Sequence, residues 1–243
     1  MRADYAKVRR KLWSLRHLEP KVVALSRLFS KAALLQSKEV VYQNLFHAAL
    51  ARHGIPDAFY PVGGAANYSL LYLLLRMIEE LPVRTVLELG CGQTTLLLDR
   101  LDRDRRLEVV SLEHDHEWSE RIGSQVKHEV RHAPLLERTI HGRRAEAYDS
   151  DVATSGRKFD LVLVDGPKGA RSYSRWGCLE MLESCLGDDF IVVFDDAERR
   201  GELDTIGAAL ELLAGKDPGA TMTRAANSQL VVAAGRFLPA LHF

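Results

Sequence analysis

The stretch from Thr85 to Thr95, TVLELGCGQTT, constrains the fold of this chain more than any other feature of its sequence. Its first five residues are mostly apolar, as in a buried strand, and a leucine-rich segment follows at 96–101. Between them, Gly90 and Gly92 let the backbone pass close to a ligand because no Cβ obstructs the approach. A helix that begins after this turn presents free N–H groups. The stretch therefore predicts a strand, a tight turn and a helix that together bind a nucleotide-like ligand.

Length and charge indicate one main domain with a smaller appendage. The chain has 243 residues, 47% of them apolar, which suffices for one substantial core. Although the formal net charge is zero, residues 1–60 hold 11 Lys or Arg against four Asp or Glu, and the remainder holds 22 against 29. We therefore expect a helical extension over residues 1–60 and a core domain over residues 61–243.

The extension has the periodicity of amphipathic helices from Tyr5 to about His53, with Pro20 between two helices. One interpretation is a cap that packs on the core and helps to form a substrate pocket or a homodimer contact. The other is a basic face that rests on an anionic membrane surface. Nucleic acid is not an expected partner, because the basic residues are not interleaved with aromatic ones.

Cysteine usage and hydropathy indicate a cytoplasmic protein. Cys91, Cys178 and Cys185 form neither a C-x-x-C pair nor an even disulfide framework, as expected in a reducing compartment. Cys178 and Cys185 lie seven residues apart, so we expect both on the buried face of one helix. No signal peptide opens the sequence. The most apolar run, Leu70–Leu75, is too short to span a bilayer.

The second predicted strand, residues 107–113, ends in a carboxylate. Glu113 lies 23 positions after Gly90, where nucleotide-binding α/β folds place an acidic residue that accepts hydrogen bonds from the ribose hydroxyls. A surface glutamate is the alternative. The residues that follow, His114-Asp115-His116-Glu117, are typical of a solvated turn that opens a helix rather than of a histidine metal site.

Two further predicted strands also end in carboxylates. The continuous apolar run before Asp165 is typical of a central parallel strand, and Lys168 follows three residues later. A second apolar run, residues 190–194, is followed directly by Asp195 and Asp196. Because ligands bind at the carboxyl edge of open α/β sheets, we expect these three carboxylates to meet at the site.

The remaining segments complete an α/β pattern. We expect strands at 127–132, 220–224 and 229–234, helices at 69–80, 173–186 and 203–214, and a mobile polar connection at 138–158. The last two strands form a pair that closes the chain after five β/α units.

The order Glu-Leu-Gly-Cys-Gly-Gln-Thr at 88–94 resembles the first motif of the class I methyltransferases that depend on S-adenosylmethionine (SAM). This resemblance implies a Rossmann-like seven-stranded sheet with helices on both faces, in which one strand of the closing pair runs antiparallel. The third glycine of the dinucleotide fingerprint is replaced by Thr95, which disfavours an NAD-dependent oxidoreductase. The residues that the resemblance implies for SAM binding are Glu88, Gly90, Gly92, Thr94, Glu113, His114, Pro134, Leu135 and Asp165.

A second resemblance narrows the reaction. Asp165-Gly-Pro-Lys168 together with Asp195-Asp196 is similar to the metal-dependent O-methyltransferases, a group that includes catechol and antibiotic-sugar methyltransferases. It implies that Asp165, Asp195 and Asp196 bind Mg²⁺, an ion that prefers oxygen ligands, and that Lys168 and Asp165 are catalytic. The cation would activate an acceptor hydroxyl by favouring its deprotonated form. Gly-Pro replaces the His-Trp pair of the catechol enzymes, so a small polar or sugar-like acceptor is expected.

Several alternatives stay open at this point. The arginines Arg171, Arg175, Arg199 and Arg200 are expected on the rim of the same site, where they either grip an anionic substrate or balance the carboxylates. The enzyme could instead methylate nitrogen or a macromolecule without a metal. Outside enzymes, the alternative is a catalytically silent scaffold or a membrane-associated partner that keeps the fold.

Overall fold

A computed structural model describes residues 19–61, 66–102, 107–149 and 156–243. The helices are α1 (Glu19–Arg52), α2 (Tyr68–Glu80), α3 (Gln93–Asp102), α4 (His116–Gly123), α5 (Cys178–Cys185) and α6 (Arg200–Leu213). The strands are β1 (Thr85–Leu89), β2 (Glu108–Glu113), β3 (Glu129–His132), β4 (Leu135–Ile140), β5 (Arg143–Tyr148), β6 (Phe159–Val164), β7 (Leu186–Phe194), β8 (Gly219–Arg224) and β9 (Ser228–Ala234). Two 3₁₀ helices cover Ala214–Lys216 and Gly235–His242.

Seven of the strands form one sheet in the order β3-β2-β1-β6-β7-β9-β8. Strand β1 lies in the middle, parallel to both neighbours, with Glu88 opposite Ser111 on one side and Leu163 on the other. Strand β9 runs antiparallel to both β7 and β8. The predicted fold class, a seven-stranded α/β sheet with one antiparallel strand, is therefore confirmed.

Helices cover both faces of this sheet, which explains why its central strands are continuous apolar runs. Side chains alternate along β1, so Val86 packs on the face covered by α1, α2 and α3. Leu87 and Leu89 pack on the opposite face with α5 and α6. Each such side chain, when fully buried, contributes about 1.5–3 kcal/mol to stability. The core therefore holds the carboxyl ends of the central strands in fixed positions.

The predicted mobile connection at 138–158 is wrong where the structure describes it, because β4 and β5 form a hairpin. The two turn residues, His141 and Gly142, both have positive φ, as a type I′ turn requires. The hairpin docks on the following segment, where the indole Nε1 of Trp176 donates to the Ile140 carbonyl at 2.9 Å. Five of the 14 hairpin residues from Leu135 to Tyr148 are charged, which concealed the strand pattern in the sequence. Residues 150–155 lie outside the described residues.

The predicted helix over 173–186 begins only at Cys178. Tyr173 and Arg175, which precede it, have φ values of 48° and 55°, which a helix cannot accommodate. The Ser174 amide instead donates to the Gly201 carbonyl at 3.0 Å. This irregular segment turns Arg175 inward, towards the ends of β6 and β7. Cys178 and Cys185 are both buried, as predicted.

The N-terminal extension is described from Glu19 onward. Helix α1 is one continuous helix with Pro20 in its first turn, and the predicted helix before Pro20 lies outside the described residues. Near its end, Phe46, Ala49 and Leu50 are buried in the same apolar cluster as α2. Among the described residues, no helix is long and apolar enough to cross a membrane. The domain boundary at residue 60, the membrane contact, the homodimer and the cytoplasmic location stay predictions.

Candidate active site

The turn after β1 is packed against the end of β6 with no room for a side chain. Gly90 has a φ of 93°, and a Cβ placed on it would lie 2.9 Å from both the Cα and the amide nitrogen of Gly166. Parallel-strand hydrogen bonds hold both turns, since the Gly90 amide donates to the Leu112 carbonyl at 2.9 Å. The Asp165 amide likewise donates to the Leu89 carbonyl at 3.0 Å. The glycine therefore serves a backbone-to-backbone contact as well as the open turn that the sequence predicts.

Glu88 lies beneath this turn and is fully buried. Its carboxylate accepts hydrogen bonds from the Thr94 and Thr95 hydroxyls at 2.5 and 2.7 Å. The Ser111 hydroxyl donates to it at 2.6 Å. These contacts tie the end of β1 to the first turn of α3. Burial raises the pKa of the Glu88 carboxyl to about 7, although the three hydroxyls lower it. Glu88 thus supports the glycine turn from below and does not line either cavity described below.

Replacing Glu88 by glutamine is expected to flatten the dependence of stability on pH. The folded pKa of about 7 exceeds the ordinary value of 4.5, so the contribution of this group is fully present below about pH 4.5 and is lost as pH rises through 7. This loss amounts to roughly 3 kcal/mol of the free energy of unfolding. Denaturant unfolding between pH 4.5 and 8 measures the slope in both proteins.

Two other ionisable residues lie near Glu88. Glu113 raises the Glu88 pKa through its charge, and His128, whose own pKa is lowered mainly by burial, shares the Ser111 hydroxyl. Both neighbours remain in the glutamine variant, so the difference in slope isolates residue 88. The exposed Glu117, changed to glutamine, is the control and should leave the slope unchanged. Equal slopes for wild type and Glu88→Gln would contradict the expected proton uptake.

Glu113, at the end of β2, is held against the glycine turn. One carboxylate oxygen, Oε2, accepts from the Cys91 amide at 3.1 Å. The other, Oε1, accepts from the amides of His114 and Asp115 at 2.8 and 3.0 Å. These backbone donors fix the carboxylate at the mouth of the turn, where the sequence predicts the ribose contact. From the other side, the Trp118 indole donates to the Cys91 carbonyl at 2.8 Å.

Two of the cavities that the described residues form open at the carboxyl edge of the sheet, and Cys91 and Asp165 line both of them. The first, here called the acidic cavity, has a volume of about 380 Å³ and contains the predicted residues Glu113, His114, Asp165, Lys168, Asp195 and Asp196. The second, here called the loop cavity, has a volume of about 450 Å³ and is lined mainly by residues 91–94, Trp118 and Arg121. Asp165 is thus the carboxylate at which the two cavities meet.

The three strand-end aspartates converge as predicted. One oxygen each of Asp165, Asp195 and Asp196 lies within 4.8 Å of the others. Burial, followed by the charge of the neighbouring aspartate, raises the pKa of Asp195 to about 6 and that of Asp165 well above its usual range. Gln229 donates to Asp195 Oδ1 at 2.8 Å, and Asn227 donates to Asp196 Oδ1 at 3.2 Å. The cluster therefore already has polar partners from β9 and the turn before it.

Arginine side chains contact the same carboxylates. The sequence predicts Arg175 on the rim of the site, but the residue is only 7% exposed. Its guanidinium contacts two of the three aspartates, Asp165 and Asp196. Arg199 Nη1 lies 2.6 Å from Asp196 Oδ2. Arg171 and Arg200 are exposed. Three carboxylates have the chemistry of an Mg²⁺ site, but two of them already share a buried cation, so the residues do not fit a resident metal beside Arg175.

The other predicted residues have different surroundings. Thr94 lines the loop cavity, although its hydroxyl donates to Glu88. Lys168 is exposed at the rim of the acidic cavity. Pro134 is exposed and Leu135 is half-buried, and neither lines the two cavities. The roles assigned to all of these residues stay predictions.

Several residues of the site were not predicted from the sequence. Tyr148, the last residue of the hairpin, is 2% exposed, and its hydroxyl has no hydrogen-bond partner among the described residues. It lines the acidic cavity and lies 2.6 Å from the position that a Cβ would take on Gly166. Asn227, in the turn before β9, also lines this cavity, and Gln229, in β9, donates to Asp195. None of them belongs to a local motif, so only the folded chain brings them to the site.

Comparison with known proteins supports the fold. No family model and no curated protein matches this sequence. The 16S rRNA N2 G1207 methyltransferase RsmC of T. thermophilus, solved with AdoMet and guanosine, matches with a TM-score of 0.50 and 16% identity, over 69% of this chain and 42% of that chain. A methyltransferase from Geobacter sulfurreducens matches with a TM-score of 0.48 and 17% identity, over 80% of this chain and 88% of that chain. The O-methyltransferase TomG of Streptomyces achromogenes, solved with SAM, matches with a TM-score of 0.48 and 17% identity, over 84% of this chain and 98% of that chain. The likeness to RsmC, at 16% identity, establishes the fold alone, and this chain spans less than half of RsmC.

Proposed function

We propose that this chain is a SAM-dependent methyltransferase that methylates an oxygen of a small polar acceptor. The observation that carries the proposal is the position of Asp165, a carboxylate in the wall common to two cavities, beside a glycine turn and within a methyltransferase-type sheet. Two adjoining cavities suit a reaction in which a donor and an acceptor meet. SAM supplies an electrophilic methyl group on a sulfonium when it is bound.

The two cavities offer different chemistry to the parts of SAM. Glu113, fixed by three backbone amides, can accept the hydrogen bonds of the ribose hydroxyls. The loop cavity combines the N-terminus of α3 with Arg121, and both favour the carboxylate of the methionine part. Cys91 and Asp165 line both cavities, so the reactive centre of the donor is assigned to this junction.

Asp165 is the residue that we assign as general base. Its Oδ1 is held by Arg175 at 3.3 Å, while its side chain is 24% exposed at the cavity wall. The acceptor oxygen forms a bond to the methyl carbon as the carbon–sulfur bond breaks, and sulfur keeps that electron pair. The proton of the acceptor hydroxyl passes to the Asp165 carboxylate. Alignment of the two reactants supplies a further part of the rate increase. Lys168, exposed at the rim, is the alternative base.

The acceptor is assigned as a small hydroxylated, sugar-like molecule. The acidic cavity is lined mostly by polar and charged side chains, and Gly166-Pro167 presents no flat aromatic surface there. Hydroxyl groups can pair with carboxylates such as Asp195 and with amides such as Asn227. Nitrogen or macromolecular acceptors are the alternative. Metal assistance is not carried into the mechanism, because Arg175 already contacts two of the three carboxylates that would bind the ion.

Titration calorimetry with SAM and its demethylated product tests the donor site. Glu113→Gln is expected to weaken SAM binding roughly tenfold to a hundredfold, because hydrogen bonds to a charged group are worth about 1.5–3 kcal/mol each. The exposed Glu117, changed to glutamine, removes one charge from the neighbouring helix and should leave affinity unchanged. Wild-type protein that binds neither compound would refute the methyltransferase proposal, and an unchanged affinity of Glu113→Gln would refute only the ribose contact.

A screen with methyl-labelled SAM identifies the acceptor. Hydroxylated compounds with and without anionic groups are offered to the wild-type protein, and label transferred to oxygen supports the acceptor class. Label transferred to nitrogen, or to a macromolecule in a cell extract, would support the alternative acceptors instead.

A further inference from the structure

Arg175 is unusual because its guanidinium is buried at the end of the central strands. It lies in the irregular segment before α5, with a positive φ of 55° that favours glycine. A strained backbone of this kind persists only where surrounding contacts hold it. Those contacts are made by the side chain, which is 4% exposed.

All three guanidinium nitrogens of Arg175 have partners. Nε donates to the Pro167 carbonyl at 3.1 Å, and Nη1 contacts the carbonyls of Val164 and Asp195 at 3.4 and 3.3 Å. These acceptors belong to the ends of β6 and β7. The arginine therefore binds the two strand ends together through their backbones, independently of the acidic side chains.

The same guanidinium also faces four carboxylates. Nη2 contacts Asp165 Oδ1 at 3.3 Å and Asp196 Oδ2 at 3.2 Å, and Nε lies 3.6 Å from Glu202 Oε1. Together with Asp195, these groups raise the pKa of Arg175 above its ordinary value despite the opposing effect of burial. The carboxylates of Asp165, Asp196 and Glu202 thus already have a positively charged side chain of this chain as a partner.

A divalent ion would compete with this arginine for the same oxygens. Mg²⁺ requires close carboxylate ligands in near-octahedral geometry. An ion between Asp165 and Asp196 would lie next to the buried positive charge of Arg175, and removing that charge from its partners is costly. The other oxygen of Asp196 accepts from Asn227, and Oδ1 of Asp195 accepts from Gln229. Each of the three aspartates therefore already has at least one carboxylate oxygen in a hydrogen bond.

We infer that the guanidinium of Arg175 is the resident cation of this carboxylate cluster and occupies the place of a divalent metal ion. Arg175 is accordingly a positioning residue, which fixes Oδ1 of Asp165 and leaves the rest of that carboxylate at the cavity wall. The inference concerns the site of the proposed function but is tested without SAM or acceptor, so the two fail separately.

Mn²⁺ binding, followed by electron paramagnetic resonance of the free ion, tests this assignment on the full chain. Wild-type protein should show no site tighter than about 1 mM, the weak end of protein sites for divalent cations. Arg175→Met should gain Mn²⁺ affinity of roughly tenfold or more, since Asp165 and Glu202 then lose the buried cation that contacts them, although Asp196 keeps its contact with Arg199. Arg171→Met, which removes an exposed arginine of the same segment, is the matched control and should gain nothing.

Two results would overturn the assignment. One is a wild-type site tighter than about 1 mM that Asp195→Asn abolishes, which would show a metal bound beside Arg175. The other is a folded Arg175→Met protein that binds Mn²⁺ no better than wild type. If the methionine variant does not fold, Arg175→Gln retains hydrogen-bond donors and is titrated in the same way, and the wild-type titration remains decisive by itself.

Discussion

Replacement of Asp165 by asparagine is expected to slow methyl transfer roughly 10²- to 10⁴-fold, the range that loss of a general base produces. Asparagine keeps the size of the side chain and an oxygen that can accept from Arg175. It cannot take the proton of the acceptor hydroxyl. SAM affinity should change little, because Glu113 and the glycine turn are untouched. Single-turnover transfer of labelled methyl to an acceptor from the screen measures the rate, and calorimetry measures the affinity.

Two variants make this result specific to Asp165. Lys168→Met tests the alternative base, and its rate should stay within about tenfold of wild type, well above that of Asp165→Asn. Asp188→Asn is the control for loss of one carboxylate, because this side chain is fully exposed on β7. A large loss of methyl-transfer rate in Lys168→Met, with a near-normal rate in Asp165→Asn, would show that Lys168 and not Asp165 is the general base.

Replacement of Gly90 by alanine is expected to damage both stability and SAM binding. The new Cβ would lie 2.9 Å from backbone atoms of Gly166, and the φ of 93° is itself unfavourable for alanine. Overpacking of this kind costs about 1–3 kcal/mol, and either turn must move to relieve it. Because residues 90–92 line the cavity junction, SAM affinity should fall by roughly tenfold or more.

Gly207→Ala is the matched control for Gly90→Ala. Gly207 lies in helix α6, and a Cβ there meets no atom within 4 Å. Alanine in a helix interior should stabilise the protein by about 0.5–1 kcal/mol. Thermal unfolding and calorimetry compare both variants with wild type. Unchanged stability and affinity in Gly90→Ala would mean that the two turns are not in contact.

Parts of the site follow from local sequence because the rules for parallel sheets are simple. Asp165 and Asp195 come directly after continuous apolar runs, and such runs end at one edge of the sheet, so their meeting is predictable. The glycine turn and the position of Glu113 follow for the same reason. The contacts that each side chain makes there depend on residues far apart in the chain and cannot be predicted from the local sequence. Glu88 is an example, because it supports the glycine turn instead of facing the cavities.

The features that sequence reasoning missed depend on long-range contacts. Arg175 looks like a surface residue among other arginines, and only an irregular segment with positive φ turns it into the acidic cluster. The hairpin of β4 and β5 is rich in charge, so its alternation was obscured, although Ala147 and Tyr148 are buried. Gln229 reaches the site from a strand more than 30 residues beyond Asp195 in the chain.

The hairpin of β4 and β5 can vary in sequence independently of the seven-stranded sheet. Strands β4 and β5 form their own small sheet and meet the following segment where a Cβ on Gly177 would lie 2.6 Å from Ala147. Its turn can therefore lengthen or shorten without shifting the register of the seven-stranded sheet. Tyr148 ends the hairpin in the wall of the acidic cavity, so under the proposed function a change in the hairpin would alter the acceptor site. Such a change would leave in place the strand ends that carry Glu113 and Asp165, so the proposed donor contact and general base could stay the same while the acceptor differs.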